Sequence, residues 1–153
     1  MQKKSKARRS TIPLLFVLAA DLLQSILNKA QALGLLTAPF QSVACPDFPI
    51  ARYADDTLIV LKADTRQLIC LKALLNTFAD ATGLKVNYHK SHMIPINIEE
   101  QRVENFTNTL NCQRVHFPIT YLGIPLGTQK PRVEHLMPIV RRIEKRLAGI
   151  AIF

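Results

Sequence analysis

Tyr53-Ala54-Asp55-Asp56 sets two adjacent carboxylates between two short apolar runs, Phe48 to Arg52 and Leu58 to Leu61. Short apolar runs flanking a polar step predict a hairpin. Two ionised carboxylates about 4 to 5 Å apart repel by roughly 3 to 4 kcal/mol at an effective dielectric near 20, so a fold that holds them together supplies a cation. Magnesium suits such a pair, because it takes hard oxygen ligands and bridges one or two carboxylates to substrate phosphates. The plain alternative is that Asp-Asp is simply good turn chemistry. Strand side chains alternate between faces, so Asp55 and Asp56 serve one ion only if the backbone turns between or beside them.

Two further blocks follow in order. Thr82-Gly83-Leu84-Lys85-Val86-Asn87-Tyr88-His89-Lys90-Ser91 reads as a helix end leading into a strand with Asn and Lys, and Phe117-Pro118-Ile119-Thr120-Tyr121-Leu122-Gly123-Ile124-Pro125-Leu126-Gly127 as a short hairpin. Together with Tyr53 to Leu58, these blocks resemble the reverse transcriptases of non-LTR (LINE-type) retrotransposons, over about Pro13 to Leu147. The resemblance implies an α+β fold: part of a palm, with a small antiparallel sheet whose active-site hairpin packs on helices, followed by the start of a thumb helix. It divides the chain into a basic tail at 1–10, an incomplete palm at 11–128 and a basic helix at 129–153.

By resemblance, Asp55 is the main magnesium ligand and Asp56 the second, Tyr53 and Ala54 lie near the primer terminus, and Tyr121, Leu122 and Gly123 belong to the primer grip. Lys90 matches the position that gives a proton to departing pyrophosphate. A primer-template of RNA or DNA is the implied partner, and a longer retroelement polyprotein the implied context. The family's third catalytic carboxylate comes from a strand preceding this region, and Ala7-Arg8-Arg9-Ser10-Thr11-Ile12-Pro13 stands where the family has Gln-Gly-Asp-Pro-Leu-Ser-Pro. An internal piece of a polymerase, inactive alone, is therefore expected. A non-catalytic nucleic-acid-binding module and a non-functional retroelement relic are the alternatives.

Charge is uneven along the 153 residues. Residues 1–10 carry five Lys/Arg and no acid, residues 130–146 six against two Glu, and residues 11–129 nine of each, so the net charge of +9 belongs to the two ends. Lys3, Lys4, Arg8, Arg9, Arg141, Arg142 and Lys145 are accordingly candidate phosphate contacts, sequence-blind and salt-dependent; a solvated positive face is the simpler reading of the same residues. Cys45, Cys70 and Cys112 lack metal or redox spacing and predict reduced, buried thiols in an intracellular protein of nucleus or cytoplasm. His89 and His92 read as polar strand residues rather than metal ligands. The Lys/Arg-rich start followed by Ile12 to Ala20 imitates a secretory signal, in which case Asn105-Phe106-Thr107 would be a glycosylation sequon. Helical periodicity continuing to Leu36 argues against secretion. Asp21, Asn28 and Lys29 interrupt the one candidate membrane span.

Periodicity places four helices. The first starts at Ser10 or Thr11 with Pro13 in its first turn, buries Leu15, Leu18, Leu22, Ile26 and Ala30, wets Asp21, Gln24, Asn28 and Gln31, and ends at Gly34. Ala38 to Pro49 reads as a loop or edge strand, and Arg52 as an exposed strand residue. Asp64 to Gln67 is a capping box opening a second helix with Leu68, Leu71, Leu75 and Phe78 inside and Gly83 at its end. Leu84, Val86 and Tyr88 alternate as a half-buried strand. Asn97 with Glu100 caps a third helix to about Leu110 with Val103, Phe106 and Leu110 on its apolar side. Leu136, Val140, Ile143 and Leu147 stripe a fourth, with Pro138 in its first turn or kinking it; part of that stripe is expected to be exposed.

Overall fold

The computed structural model describes residues 3–40, 46–130 and 132–150. Its elements run α1 (Lys3–Ala32), β1 (Ile50–Tyr53), β2 (Asp56–Ile59), α2 (Thr65–Thr82), β3 (His92–Met93), α3 (Glu100–Leu110), β4 (Gln113–Arg114), β5 (Ile119–Tyr121), β6 (Ile124–Leu126) and α4 (Val133–Ile150). This is the expected α+β class. The strands, however, form three separate pairs, β1-β2 and β5-β6 antiparallel and β3-β4 parallel, rather than one small antiparallel sheet.

Helix α1 starts at Lys3 instead of Ser10 or Thr11, which puts Pro13 in its interior. Lys, Ala and Arg are good helix formers, so the basic stretch extends the helix although its cations oppose the positive end of the dipole. The core-facing side is also shifted. Leu23, Leu27 and Ala30 are buried, whereas Leu15, Leu18 and Leu22 are 58%, 57% and 42% exposed. Apolar residues are adjacent at Leu22-Leu23 and Ile26-Leu27, so spacing alone could not select the face. Gly34 adopts φ +70° after the helix, and the amides of Leu35 and Leu36 donate back to the Ala30 carbonyl, which turns Leu36 into the core.

One cluster joins Leu23, Leu27 and Ala30 of α1, Leu36 and Phe48 of the connecting segment, and Leu71, Leu75 and Phe78 of α2, with Ile50 and Ile59 of the hairpin packed against it. Helix α2 follows the sequence expectation: Asp64 accepts from the Gln67 amide, Gly83 closes the helix at φ +77°, and Leu68, Leu71, Leu75 and Phe78 are buried. The Gln67 side chain does not complete a capping box. It accepts instead from the Thr37 amide at 2.8 Å and so ties α2 to the segment after α1.

The expected strand through Leu84 to Tyr88 is irregular chain followed by a 3-10 turn at Tyr88–Lys90, where Asn87 accepts from the Lys90 amide. Val86 and Tyr88 still turn inward but Leu84 is exposed, so the alternation recorded burial at two of its three positions and no ladder pairing. Asn97 does not cap α3; it takes a left-handed conformation, φ +53°, and Glu99 precedes the helix without a side-chain cap. Val103 and Phe106 are buried and Leu110 is half-buried. Lys72 of α2 donates to the Thr109 carbonyl, and Arg102 of α3 to that of Ala63, locking the two helices together. Cys70 and Cys112 are free and half-buried rather than fully buried, with burial pushing the Cys112 thiol up from its ordinary value; Cys45 lies outside the described residues. Among the described residues no helix is long and apolar enough to cross a membrane.

Leu27 has no exposed surface, so Leu27→Ala is expected to lower the unfolding free energy by about 2–5 kcal/mol. Ile69→Ala, at a 55% exposed position of α2, should stay within about 0.5 kcal/mol, both read by urea denaturation. Glu100 and Arg114 form a two-pronged ion pair in which Arg114 Nη2 donates to Oε2 at 2.9 Å, and the Arg114 hydrogen bond holds the Glu100 carboxyl below its usual range. The pair therefore contributes stability at neutral pH, and loses it as pH falls from the unfolded value of roughly 4.3 through the lower folded one. Melting temperatures of the parent chain and Glu100→Gln should differ at neutral pH and converge in acid.

Candidate active-site hairpin

The local sequence makes β1 and β2 a tight hairpin. Tyr53 pairs with Asp56, Arg52 with Thr57, Ala51 with Leu58 and Ile50 with Ile59, leaving a two-residue turn of Ala54 and Asp55. Ala54 adopts φ +50°, a left-handed conformation that costs a residue with a Cβ about 1–2 kcal/mol. The turn lies beside the acidic pair, as shared use of an ion requires: Asp55 occupies the loop and Asp56 opens β2. Both are exposed, and neither carboxylate has a hydrogen bond or ion pair among the described residues. Tyr53, 64% exposed, stands next to them. Tyr53, Ala54, Asp55 and Asp56 are thus gathered at one tip.

Two hard carboxylate groups without partners among the described residues are a fitting, though partial, donor set for magnesium. Among the described residues no group of three or more His, Cys, Asp or Glu side chains could hold a metal, so His89 and His92 form no such site and no third carboxylate joins Asp55 and Asp56.

The opposite face of the hairpin rests on α1. Ile50 and Arg52 turn inward while Ala51 and Tyr53 turn outward. Arg52 is therefore not the exposed residue expected: its side chain is only 23% accessible, and its Nη2 lies 3.7 Å from the Asp21 carboxylate. Asn28 accepts from the Phe48 amide at 2.9 Å and donates to the Asp47 carboxylate at 2.8 Å. Gln24 donates to the Phe48 carbonyl at 3.1 Å and to Asn28 Oδ1 at 3.0 Å. Of the residues expected on the wet side of α1, Asp21 is exposed, whereas Gln24 and Asn28 are half-buried; all three contact the approach to β1 or the strand itself. A polar row at spacings of three and four, in a chain that also carries Asp47 and Arg52, was the available signal.

The second hairpin, β5-β6, turns through Leu122 and Gly123, both at positive φ, +53° and +82°, the pairing that a type I′ turn demands. Tyr121 is half-buried and its hydroxyl is shielded without a partner among the described residues. Helix α4 packs on β6. A Cβ built on Gly123 would lie 3.3 Å from Arg142 Nη1, so the basic helix reaches the turn predicted to grip the primer. Arg141, Arg142 and Lys145 are exposed, and so are Val140, Ile143 and Leu147 of the apolar stripe. Pro138 is the sixth residue of α4 rather than part of its first turn. Lys3, Lys4, Arg8 and Arg9 lie in the first turns of α1. Lys90 is exposed in its 3-10 turn and its ammonium has no partner among the described residues.

The reverse transcriptase (RNA-dependent DNA polymerase) family model matches residues 11–126, from the start of the expected palm to the last residue of β6. The chain belongs to the reverse transcriptase family. No curated protein and no solved structure matches it. The natural substrates of a reverse transcriptase are nucleic acids, and the match spans both hairpins while leaving most of the two basic regions outside it.

Replacing Ala54 by Gly removes the left-handed cost of this reverse transcriptase hairpin. Ala54→Gly should raise the melting temperature, by a stability gain of about 0.5–1 kcal/mol after the added flexibility of the unfolded chain is offset. Ala54→Val should lower it.

Proposed function

We propose that this chain is the palm portion of a LINE-type retroelement reverse transcriptase, presenting half of a two-metal site and insufficient for synthesis by itself. The observation that carries the reading is the two-residue turn at which consecutive Asp55 and Asp56 are both exposed, without partners among the described residues, inside the family match. The order of the blocks at Tyr53 to Leu58, Thr82 to Ser91 and Phe117 to Gly127 supports the LINE-type assignment.

Asp55 is the main magnesium ligand in this reading and Asp56 the second. Bound magnesium would neutralise phosphate charge and favour attack by the primer hydroxyl. Tyr53 and Ala54 flank the primer terminus. Tyr121, Leu122 and Gly123 hold the primer strand, and Arg141, Arg142 and Lys145 meet the backbone phosphates beside that grip. Lys90 supplies a proton to pyrophosphate as it leaves. Lys3, Lys4, Arg8 and Arg9 add further phosphate contacts in this reading. The third carboxylate comes from a longer retroelement polypeptide or a separate chain, and without it the charge developing on the transferring phosphate lacks its full clamp.

The test is primer extension on primed RNA and DNA templates with deoxynucleotides and magnesium. The chain alone is expected to give no product. A longer polypeptide carrying an upstream Asp-bearing strand should restore synthesis, and Asp55→Asn in that polypeptide should cut it by at least about 10²-fold to 10³-fold. Synthesis by the isolated chain, abolished by Asp55→Asn, would overturn the claim of insufficiency; a longer polypeptide indifferent to Asp55→Asn would overturn the site.

A further inference from the structure

We propose that Asp21, Gln24 and Asn28 of α1, with Arg52 of β1, form a positioning clamp that sets the direction in which Asp55 and Asp56 project. The proposal rests on the active-site reading above and adds residues that this reading does not use.

A hairpin of two four-residue strands, with no third strand beside it among the described residues, is marginal in water. Its lower end is fixed by Gln24 and Asn28, which between them engage both backbone groups of Phe48, the carbonyl and the amide. These side-chain amides do for Phe48 what a neighbouring strand would do. Its upper end is fixed by Asp21, which faces Arg52. The helix and strand run in opposite directions, Asn28 beside Phe48 and Asp21 near Arg52. Seven helical residues rise about 10.5 Å, and four strand residues about 13 Å, so the two rows match closely enough for both ends to engage at a modest tilt.

One contact on the approach to β1, at Phe48, and one on the strand itself, at Arg52, define its line, and the turn begins at Ala54, two residues beyond Arg52. The arrangement is also a poor way to gain stability alone. Asp21 is 69% exposed, where an ion pair contributes little. Arg52 Nη1 is buried without a partner among the described residues, which is unfavourable where an apolar residue like Ile50 would pack freely. An arginine there serves direction more than burial.

The experiment compares full-length chains carrying Asn28→Ala, Asp21→Asn, Arg52→Met and Arg52→Lys with the parent. Amide exchange is followed by NMR at Val60, whose amide bonds to the Pro49 carbonyl, and along β2, with Leu71 and Leu75 of α2 as internal references. Terbium(III), a hard trivalent probe excited through Tyr53, reports on the acidic pair, with Asp55→Asn as the control. The expected result is hairpin exchange at least tenfold faster in Asn28→Ala and Arg52→Met with the α2 references within twofold. Terbium should bind those two variants at least threefold more weakly, and Arg52→Lys should restore binding to within twofold of the parent. Equal loss of protection in hairpin and α2, or no change in either, would overturn the clamp. Terbium binding that needs Asp55 but ignores every clamp substitution would overturn it too, while leaving the active-site reading intact. Selective hairpin loosening without any terbium binding by the parent would uphold the clamp and remove the metal reading.

Discussion

The docking of Phe48 organises this chain. Its ring is almost wholly buried among Leu23, Leu27 and Ala30 of α1 and the apolar side of α2, and its peptide groups are engaged by Gln24 and Asn28. A buried backbone group without a partner is costly, so the aromatic anchor and the amide contacts depend on each other. Because β1 begins two residues later, everything the hairpin presents is referred to this one attachment.

The sequence showed some of this plainly. The ends and the buried face of helix α2 were legible, because Asp64, Gly83 and four apolar residues at helical spacing agree with one another, although Gln67 turns to Thr37 instead of closing a capping box. Both hairpins were legible, because a two-residue turn at Asp55 or at Gly123 leaves few other arrangements for the short apolar runs around it. What failed has a common cause. The spacing places Ile26 and Ala30 of α1 on the core side but not Leu15, Leu18 and Leu22, because Leu22, Leu23, Ile26 and Leu27 allow two stripes and only the arrival of Phe48 and Arg52 decides between them. The strand at Leu84 to Tyr88 was misread because period-two alternation reports which side chains turn inward, whereas a strand also needs a neighbour to pair with. Of the candidate site, the acidic tip was visible and its support was not, since polar residues on a helix are ordinarily solvated.

The charges of Arg141, Arg142 and Lys145 are tied to the rest of the structure through α4. The helix is held by β6, and Arg142 reaches the turn at Gly123, so movement of the helix would be felt at that turn. The same helix leaves Val140, Ile143 and Leu147 in contact with solvent, next to Arg141, Arg142 and Lys145. Its exposed stripe agrees with the expectation that part of this face lacks cover.

The ladder of β1 against β2 has no second stable alignment. A shift of one position would turn Ile50 and Arg52 to water and drive Ala51 and Tyr53 toward the helix, stranding the Asp21 carboxylate and emptying the space that Ile50 fills. Insertion or deletion of a single residue between Phe48 and Tyr53 is accordingly worse than most substitutions there, because it inverts every side chain beyond the lesion rather than altering one.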